Sequence, residues 1–436
     1  MDPLWIGFIG VILLFVLIFA GVPLGLAFVL IGTIGYGLAF NWAGAMSVVR
    51  TVAYTTFSDY GFIVIPLFIL MGTLAYATRM SEDLYDSAHS IFGRLRGGLA
   101  MATVVASAGF AAICGASVAS AATMGKVAYP EMRRYKYHSG LSTASICVGG
   151  TIGILIPPSM IFIIYGIISE QSIGQLYMAG FIPGIFQTMV FLGTIYIICR
   201  INPKMGPEGP STTFKEKATA LSRAWPVLLL FLLVLGGIYL GWFSANEAAG
   251  AGAFLVFFLG LVMRRLSWEG FKFAVRDASK TTAMIFIIVT GALIFGYFLT
   301  ITGVSTTIAD TMGNLPVSKW VIFAIIILFY LALGCVMDSM SMILITVPIF
   351  FPLTQELGFN PIWFGVIIVM VTEMGLITPP VGMVVFVLKG IVSEDVPMFT
   401  IFKGLAPFLL ADIFIVIILA VFPQMALFLP STMMGH

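Results

Sequence analysis

The chain states one pattern twice. Ile154-Leu-Ile-Pro-Pro-Ser-Met-Ile-Phe-Ile-Ile-Tyr-Gly-Ile-Ile-Ser-Glu170 returns as Leu376-Ile-Thr-Pro-Pro-Val-Gly-Met-Val-Val-Phe-Val-Leu-Lys-Gly-Ile-Val-Ser-Glu394, slightly lengthened after the prolines. Each copy sets Pro-Pro inside an apolar stretch long enough to cross a bilayer, where proline removes a backbone donor and clashes with the preceding turn. Both helices must break. Breaks at corresponding points of two halves point to the central site of a secondary transporter. The correspondence runs further: Gly72, Gly115, Gly180 and Pro183 match Gly291, Gly334, Gly404 and Pro407 at offsets of 219, 219, 224 and 224. So steady an offset indicates a duplication rather than chance likeness of apolar segments.

With 60% hydrophobic and 9% charged residues, against about 25% charged in soluble domains, the chain reads as a polytopic membrane protein. Its net charge of +2 then says nothing about nucleic acid; the placement of the charges matters instead. Cys114, Cys147, Cys199 and Cys335 lie far apart in apolar stretches with no Cys-x-x-Cys spacing, so neither a zinc site nor a disulfide framework is indicated. They read as packing residues. The segment from Leu4 to Gly21 lacks the basic leader of a secretory signal and is expected to stay as a helix.

Apolar segments of spanning length, about 20 residues, fall at 4–21, 23–40, 61–79, 140–168, 176–199, 224–242, 246–263, 280–300, 361–389 and 397–422. Two further pairs, 98–114 with 118–132 and 318–333 with 339–353, turn at tips of small or polar residues, Gly115-Ala-Ser117 and Gly334-Cys-Val-Met-Asp338. Basic residues flank the first pair on both sides: Arg94 and Arg96 before it, Arg133, Arg134 and Lys136 after it. Lysine and arginine favour the cytoplasmic side, so this pair is expected to enter and leave there as a re-entrant hairpin. Of the 21 lysines and arginines, 18 then fall on that side, Lys126 lies on a hairpin arm, and only Arg50 and Lys319 fall opposite. Both termini are predicted periplasmic, and the second hairpin opens outward. The halves are inverted copies.

The expected organisation is residues 1–60 as N-terminal scaffold helices and 61–199 as the first inverted repeat, with hairpin 98–132 and broken span 140–168. A cytoplasmic linker follows at 200–223, carrying Pro203, Pro207 and Pro210, then a second scaffold helix pair with an interfacial helix at 224–279. The second repeat covers 280–422, with hairpin 318–353 and broken span 361–389, and residues 423–436 form a tail. Ser81 to Leu95 and Thr306 to Leu315, ahead of the two hairpins, read as segments lying along the membrane interface or as solvated loops.

Each tip and each proline break exposes carbonyls at the end of one half-helix and amides at the start of the next. Carbonyls suit a bare sodium ion; amides at a positive helix end suit an anion. Sodium ligands are expected from Ser117, Gly149, Gly150, Thr151, Gly153, Ile156 and Pro157 in the first half. In the second half they are expected from Gly334, Asp338, Gly375, Thr378 and Pro379. Contacts to an anion are expected from Ser117, Ser120, Ser159, Asp338, Ser339, Ser341 and Gly382. Small residues at such tips also serve close helix packing. Asp338 carries the strongest signal, because a carboxylate inside a membrane is a functional candidate by default; it would ligate sodium, meet substrate hydroxyls or cap the following helix. Glu373 and Asp412 are lesser candidates, either of which pairs with unseen partners instead.

An intramembrane serine hydrolase built on Ser117 fails for want of a base. His138 sits in the basic loop, His89 at the interface and His436 at the terminus, none near a buried nucleophile. No Gly-rich phosphate loop supports ATP-driven transport, and no ring of charges suggests a channel.

The combination of Gly115-Ala-Ser-Val-Ala-Ser-Ala-Ala-Thr-Met-Gly125, Ile156-Pro-Pro-Ser159, Gly334-Cys-Val-Met-Asp338 and Ile377-Thr-Pro-Pro-Val-Gly382 resembles the large, DctM-like membrane subunit of the tripartite ATP-independent periplasmic (TRAP) transporters, within the ion transporter superfamily. The likeness covers essentially the whole chain. It implies an all-α polytopic fold working as an elevator in a bacterial or archaeal cytoplasmic membrane, and no enzymatic activity. It also implies a sodium gradient as driving force, with at least two Na+ per cycle, a small four-helix membrane subunit and a periplasmic substrate-binding protein that delivers an organic acid anion. Some family members fuse the small subunit to the large one; here a separate partner chain is expected. A stand-alone sodium-coupled dicarboxylate symporter has similar architecture and needs no partners.

Overall fold

The structure, a computed structural model, describes residues 2–209, 214–313, 316–392 and 396–433. Pro210, Leu315, Ser393, Glu394 and His436, singled out in the sequence, lie outside the described residues. Among the described residues every regular element is helical. A chain this apolar must satisfy its backbone hydrogen bonds within its own segments when lipid surrounds it.

Helices α1 (Pro3–Phe19) and α2 (Leu24–Ala39) pack together and are followed by α3 (Trp42–Ser58). The apolar pattern predicts no element at α3, because Arg50, Thr51, Thr55 and Ser58 dilute its hydropathy; the Asn41 side chain starts it, accepting from the Gly44 N–H at 2.6 Å. Next come α4 (Val64–Ala77), entered through a 3-10 turn, and α5 (Met80–Phe92). The first helical hairpin is α6 (Gly98–Cys114) with α7 (Ser117–Arg134). The first proline-interrupted segment is α8 (Ser139–Ile152) with α9 (Met160–Ile168), followed by the long α10 (Ile173–Ile201).

After the linker, α11 (Phe214–Arg223) meets α12 (Trp225–Tyr239), and the chain bends by 47° between Lys215–Arg223 and Trp225–Tyr239. Then come α13 (Ala245–Val262) and α14 (Trp268–Thr302), a single helix of 35 residues. The separate interfacial helix expected ahead of residue 280 is therefore the beginning of α14, since nothing in Asp277-Ala-Ser-Lys280 stops a helix. The second half continues with α15 (Val304–Gly313) and the hairpin of α16 (Lys319–Gly334) with α17 (Ser339–Glu356). It closes with α18 (Pro361–Gly375), α19 (Met383–Lys389), α20 (Met398–Val421) and α21 (Gln424–Thr432). Among the described residues five helices, or six counting the bent pair as one, are long and apolar enough to cross a bilayer. Several others, α1, α2, α6, α16 and α18 among them, are apolar but shorter. The chain is an all-α, multi-pass membrane protein.

The core centres on α8 and α18, the first arms of the two interrupted segments. α8 is built of small, apolar and hydroxyl residues and α18 is apolar except for Thr372 and Glu373; α8 buries every residue from Gly140 to Ile152 while α18 buries every residue from Ile362 to Gly375, so protein encloses both on all sides. The two hairpins are enclosed unequally. α6 buries 14 of its 17 residues, whereas α16 buries only Ile322, Phe323, Ile326, Tyr330 and Gly334 and packs mainly on α17 and α18. Val321, Ile325, Leu328 and Phe329 of α16 face outward.

The base of the first hairpin is tied to the linker. Gly97 N–H donates to Gly206 O at 2.9 Å, Gly209 N–H to Gly93 O at 2.9 Å, and His138 N–H to Met205 O at 3.0 Å. α5 is held in turn by Asp83, which pairs with the Arg265 guanidinium between α13 and α14. Its stretch is therefore packed rather than loosely solvated, with Asp83, Tyr85 and Ala88 buried.

Candidate functional site

Two hairpin tips and one glutamate meet at the centre of the molecule. α6 stops at Cys114 because Gly115 turns into the left-handed region at φ +69°, a conformation that favours glycine, and a side chain there would also meet Met160 Cγ at 2.9 Å. α7 then begins at Ser117. α17 begins at Ser339, and its N-cap is Asp338. From α18, Glu373 reaches both starts: Ser117 Oγ–H donates to its Oε2 at 2.5 Å and Ser339 Oγ–H to its Oε1 at 2.7 Å. All three residues are buried. One carboxylate thus joins the tips of both hairpins.

The interrupted segments lie beside these tips. Their Pro157–Pro158 and Pro379–Pro380 bonds are both cis, so the two copies match in backbone as they do in sequence. Ser159 caps α9, accepting from Phe162 N–H at 3.4 Å, and Gly382 starts α19 at φ +58°. The second tip is bonded to the second interruption: Cys335 Sγ–H donates to Pro379 O at 3.1 Å, and Gly382 N–H to Cys335 O at 3.3 Å.

The residues singled out from the sequence fall into three groups. Gly115, Ser117, Asp338 and Ser339 converge on the tips. A second group serves close packing. A Cβ at Gly149 would lie 2.6 Å from Ser107 Cβ, one at Gly150 2.9 Å from Ser117 O, and one at Gly153 2.0 Å from Ala111 Cβ, so these glycines let α8 lie against α6 and α7. Gly334 and Gly375 do the same for each other, a Cβ on either meeting the other's Cα at 2.7 Å. In the third group, side chains are engaged locally or turned elsewhere. Thr151 and Thr378 hydroxyls donate back to Val148 O and Met374 O of the preceding turn at 2.9 and 2.7 Å, Ser120 Oγ lies 3.5 Å from Ser107 O, and Pro157 is buried. The Ile156 side chain lines a separate apolar cavity between α6, α10 and α12. Asp338 accepts from Ser341 N–H at 3.1 Å and from the Ser341 hydroxyl, which makes it a helix cap.

The tips border a cavity of about 540 Å³. Its walls are the tip residues Gly115, Ser117, Asp338 and Ser339, with Thr73 and Tyr76 from α4 and Asp277 and Thr281 from α14. The two helix starts differ in one respect. α17 has an amide taken by Asp338, but α7 has no side-chain cap, so the first-turn N–H groups of Ser117, Val118 and Ala119 begin at the cavity wall without a side-chain acceptor. An uncapped helix start with its positive dipole end is a place for negative charge. The sequence alone ranks Glu373 low and does not single out Asp277; the signal for Glu373 is its place as the only acid on α18, close ahead of the proline pair.

A family model described as the DctM component of the tripartite ATP-independent periplasmic transporters matches residues 11–425. The chain is 34% identical over 387 residues to the C4-dicarboxylate TRAP transporter large permease protein DctM of Pseudomonas aeruginosa, covering 88% of this chain and 90% of that protein. It is 30% identical to the sialic acid TRAP transporter large permease protein SiaM of Vibrio cholerae, over 96% of this chain and 97% of the relative. It is 32% identical to the isethionate TRAP transporter permease protein DctMQ of Oleidesulfovibrio alaskensis, over 98% of this chain and 66% of that protein. Among solved structures, the YdaH transporter of Alcanivorax borkumensis shares the fold at a TM-score of 0.59 and 15% identity, covering 97% of this chain and 98% of the other.

Proposed function

The chain belongs to the DctM component family of the tripartite ATP-independent periplasmic transporters, and on that premise we propose that it takes up an organic acid anion by sodium-coupled symport. Its role is transport rather than catalysis. The relatives are named for C4-dicarboxylates, sialic acid and isethionate, carboxylates and a sulfonate, so the proposed cargo is a small anion of that kind. A periplasmic substrate-binding protein delivers it and a separate small membrane subunit completes the complex. The observation that carries the reading is the cavity between two hairpin tips, faced by the uncapped start of α7.

In this reading the halves are inverted repeats, each with a re-entrant hairpin, and both termini lie in the periplasm. The hairpins and interrupted segments move as one body against a frame of α1, α2, α4, α12, α13 and α14. The cavity lies between the two bodies, since Tyr76 and Asp277 belong to the frame and Ser117 and Ser339 to the moving part. Arg79, Lys272, Arg276 and Lys280 lie in sequence beside Tyr76 and Asp277, and basic residues favour the cytoplasmic side; the cavity therefore opens inward. Sodium is held by carbonyl and hydroxyl oxygens at the two tips and interruptions, one ion per half.

The decisive experiment is anion uptake by the reconstituted complex with sodium, potassium or protons as the only gradient. Uptake should require external sodium and rise sigmoidally with it. Equal uptake on a potassium gradient would exclude sodium symport, and full uptake without the binding protein would favour a stand-alone symporter.

Asp338 gives a second test, because capping and ligation make different demands. An asparagine in its place would keep the cap but not the charge, and caps of either kind are about equally good. Asp338→Asn should therefore leave thermal stability unchanged and still raise the sodium concentration needed for half-maximal uptake at least about tenfold, or roughly 1.4 kcal/mol. Wild-type sodium dependence in this variant would make Asp338 a cap and nothing more.

A further inference from the structure

α10 and α20 stand at corresponding places after the two proline interruptions, and they meet at one polar contact. Gln187 Nε2–H donates to Asp412 Oδ1 at 2.8 Å, with both residues buried, at 3% and 1% exposure. Among the described residues Asp412 has no cation and no other hydrogen-bond partner. Its surroundings are apolar: Phe191 and Phe408 meet edge to face at 5.5 Å one turn away, and Ile415 and Leu419 are fully buried on the same helix.

Two features of this contact are costly as they stand. A carboxylate deep in an apolar interior with one neutral donor is far from compensated. The Gln187 Oε1 atom is also buried and has no donor, and an orphaned buried acceptor loses its hydration without a replacement. A single proton removes both costs.

We propose that Asp412 is a permanent proton-binding site, in which its carboxyl donates Oδ2–H to Gln187 Oε1 while Oδ1 accepts from Gln187 Nε2, closing a two-bond ring between acid and amide. Glu373 differs in kind. Each of its oxygens receives a serine hydroxyl, so neither it nor its partners are left with an orphaned atom. The ligand at Asp412 is a proton rather than sodium, because a cation would need further oxygens where the structure offers phenyl and aliphatic groups. Asp412 thus stands apart from the coupling ions and joins the closing spans of the two halves.

Infrared absorption of the full chain in lipid vesicles at neutral and mildly alkaline pH tests this, with wild type compared against Asp412→Asn. The wild type should show the carbonyl stretch of an un-ionised carboxylic acid at both pH values, and the Asn variant should lack that component. Asparagine reproduces the ring, its Nδ2–H donating to Gln187 Oε1 and its Oδ1 accepting, so D412N should keep the wild-type unfolding midpoint and uptake within about twofold of wild type. Asp412→Ala, which removes both bonds, should unfold at lower temperature or fail to fold. Absence of the difference band, an Asn variant as unstable as the Ala variant, or an Ala variant as stable as wild type would each overturn the proposal. The infrared and unfolding readouts do not depend on what the protein transports.

Discussion

Replacing Glu373 with alanine should abolish anion uptake while the chain still inserts and folds. The carboxylate joins both hairpin starts, accepting from Ser117 and Ser339. Removing it leaves two buried hydroxyls without an acceptor, at about 1–3 kcal/mol each, so the joined arrangement loses roughly 2–6 kcal/mol and its population falls by about thirtyfold or more. Glu373→Gln should be milder, since an amide accepts from one serine and donates to the other once that hydroxyl turns. Uptake by the two variants, measured at equal membrane abundance, orders them. If E373A transported at the wild-type rate, the join between the tips would have no part in the cycle.

The second large effect concerns relative motion. A Cβ at Gly72 on α4 would lie 2.9 Å from Ile113 O and 3.0 Å from Cys114 Cα at the end of α6. The Cβ atoms of positions 72 and 114 would then lie within about 4.5 Å, inside the range a disulfide spans. Gly72→Cys therefore needs no second substitution, because Cys114 is already present and free. Oxidised G72C should stop uptake completely and reduction should restore it to the level of the reduced variant, which serves as its own control for crowding at this position. Full uptake with the bridge closed would show that the first hairpin does not leave α4 and would favour gating around a static site.

Much of this arrangement is legible in the sequence, because proline and small residues act locally. Pro157-Pro158 and Pro379-Pro380 interrupt their helices where they stand, and Gly115 and Gly334 mark the hairpin turns. What the sequence hides is contact across long separations. Ser117 is 256 residues from Glu373 and Gln187 is 225 from Asp412, so neither acid advertises its partner. Glycine is ambiguous for a different reason: Gly149, Gly150 and Gly153 suit both exposed carbonyls and the close approach seen in the structure, and one residue can serve both. α3 escapes notice because its mixed surface carries a weak apolar signal, and the start of α14 because a cluster of charge reads as a boundary.

The unequal enclosure of the hairpins has a mechanical consequence. α6 turns nearly all of its surface to protein, but α16 presents Val321, Ile325, Leu328 and Phe329 outward, an apolar face suited to acyl chains. Hydrophobic mismatch costs fractions of a kcal/mol per Å, and in this protein that load falls on one hairpin and not on the other. In the proposed cycle, thickening or thinning the host bilayer would therefore weight the two end states differently, and membrane composition would control the rate through one half and not the other.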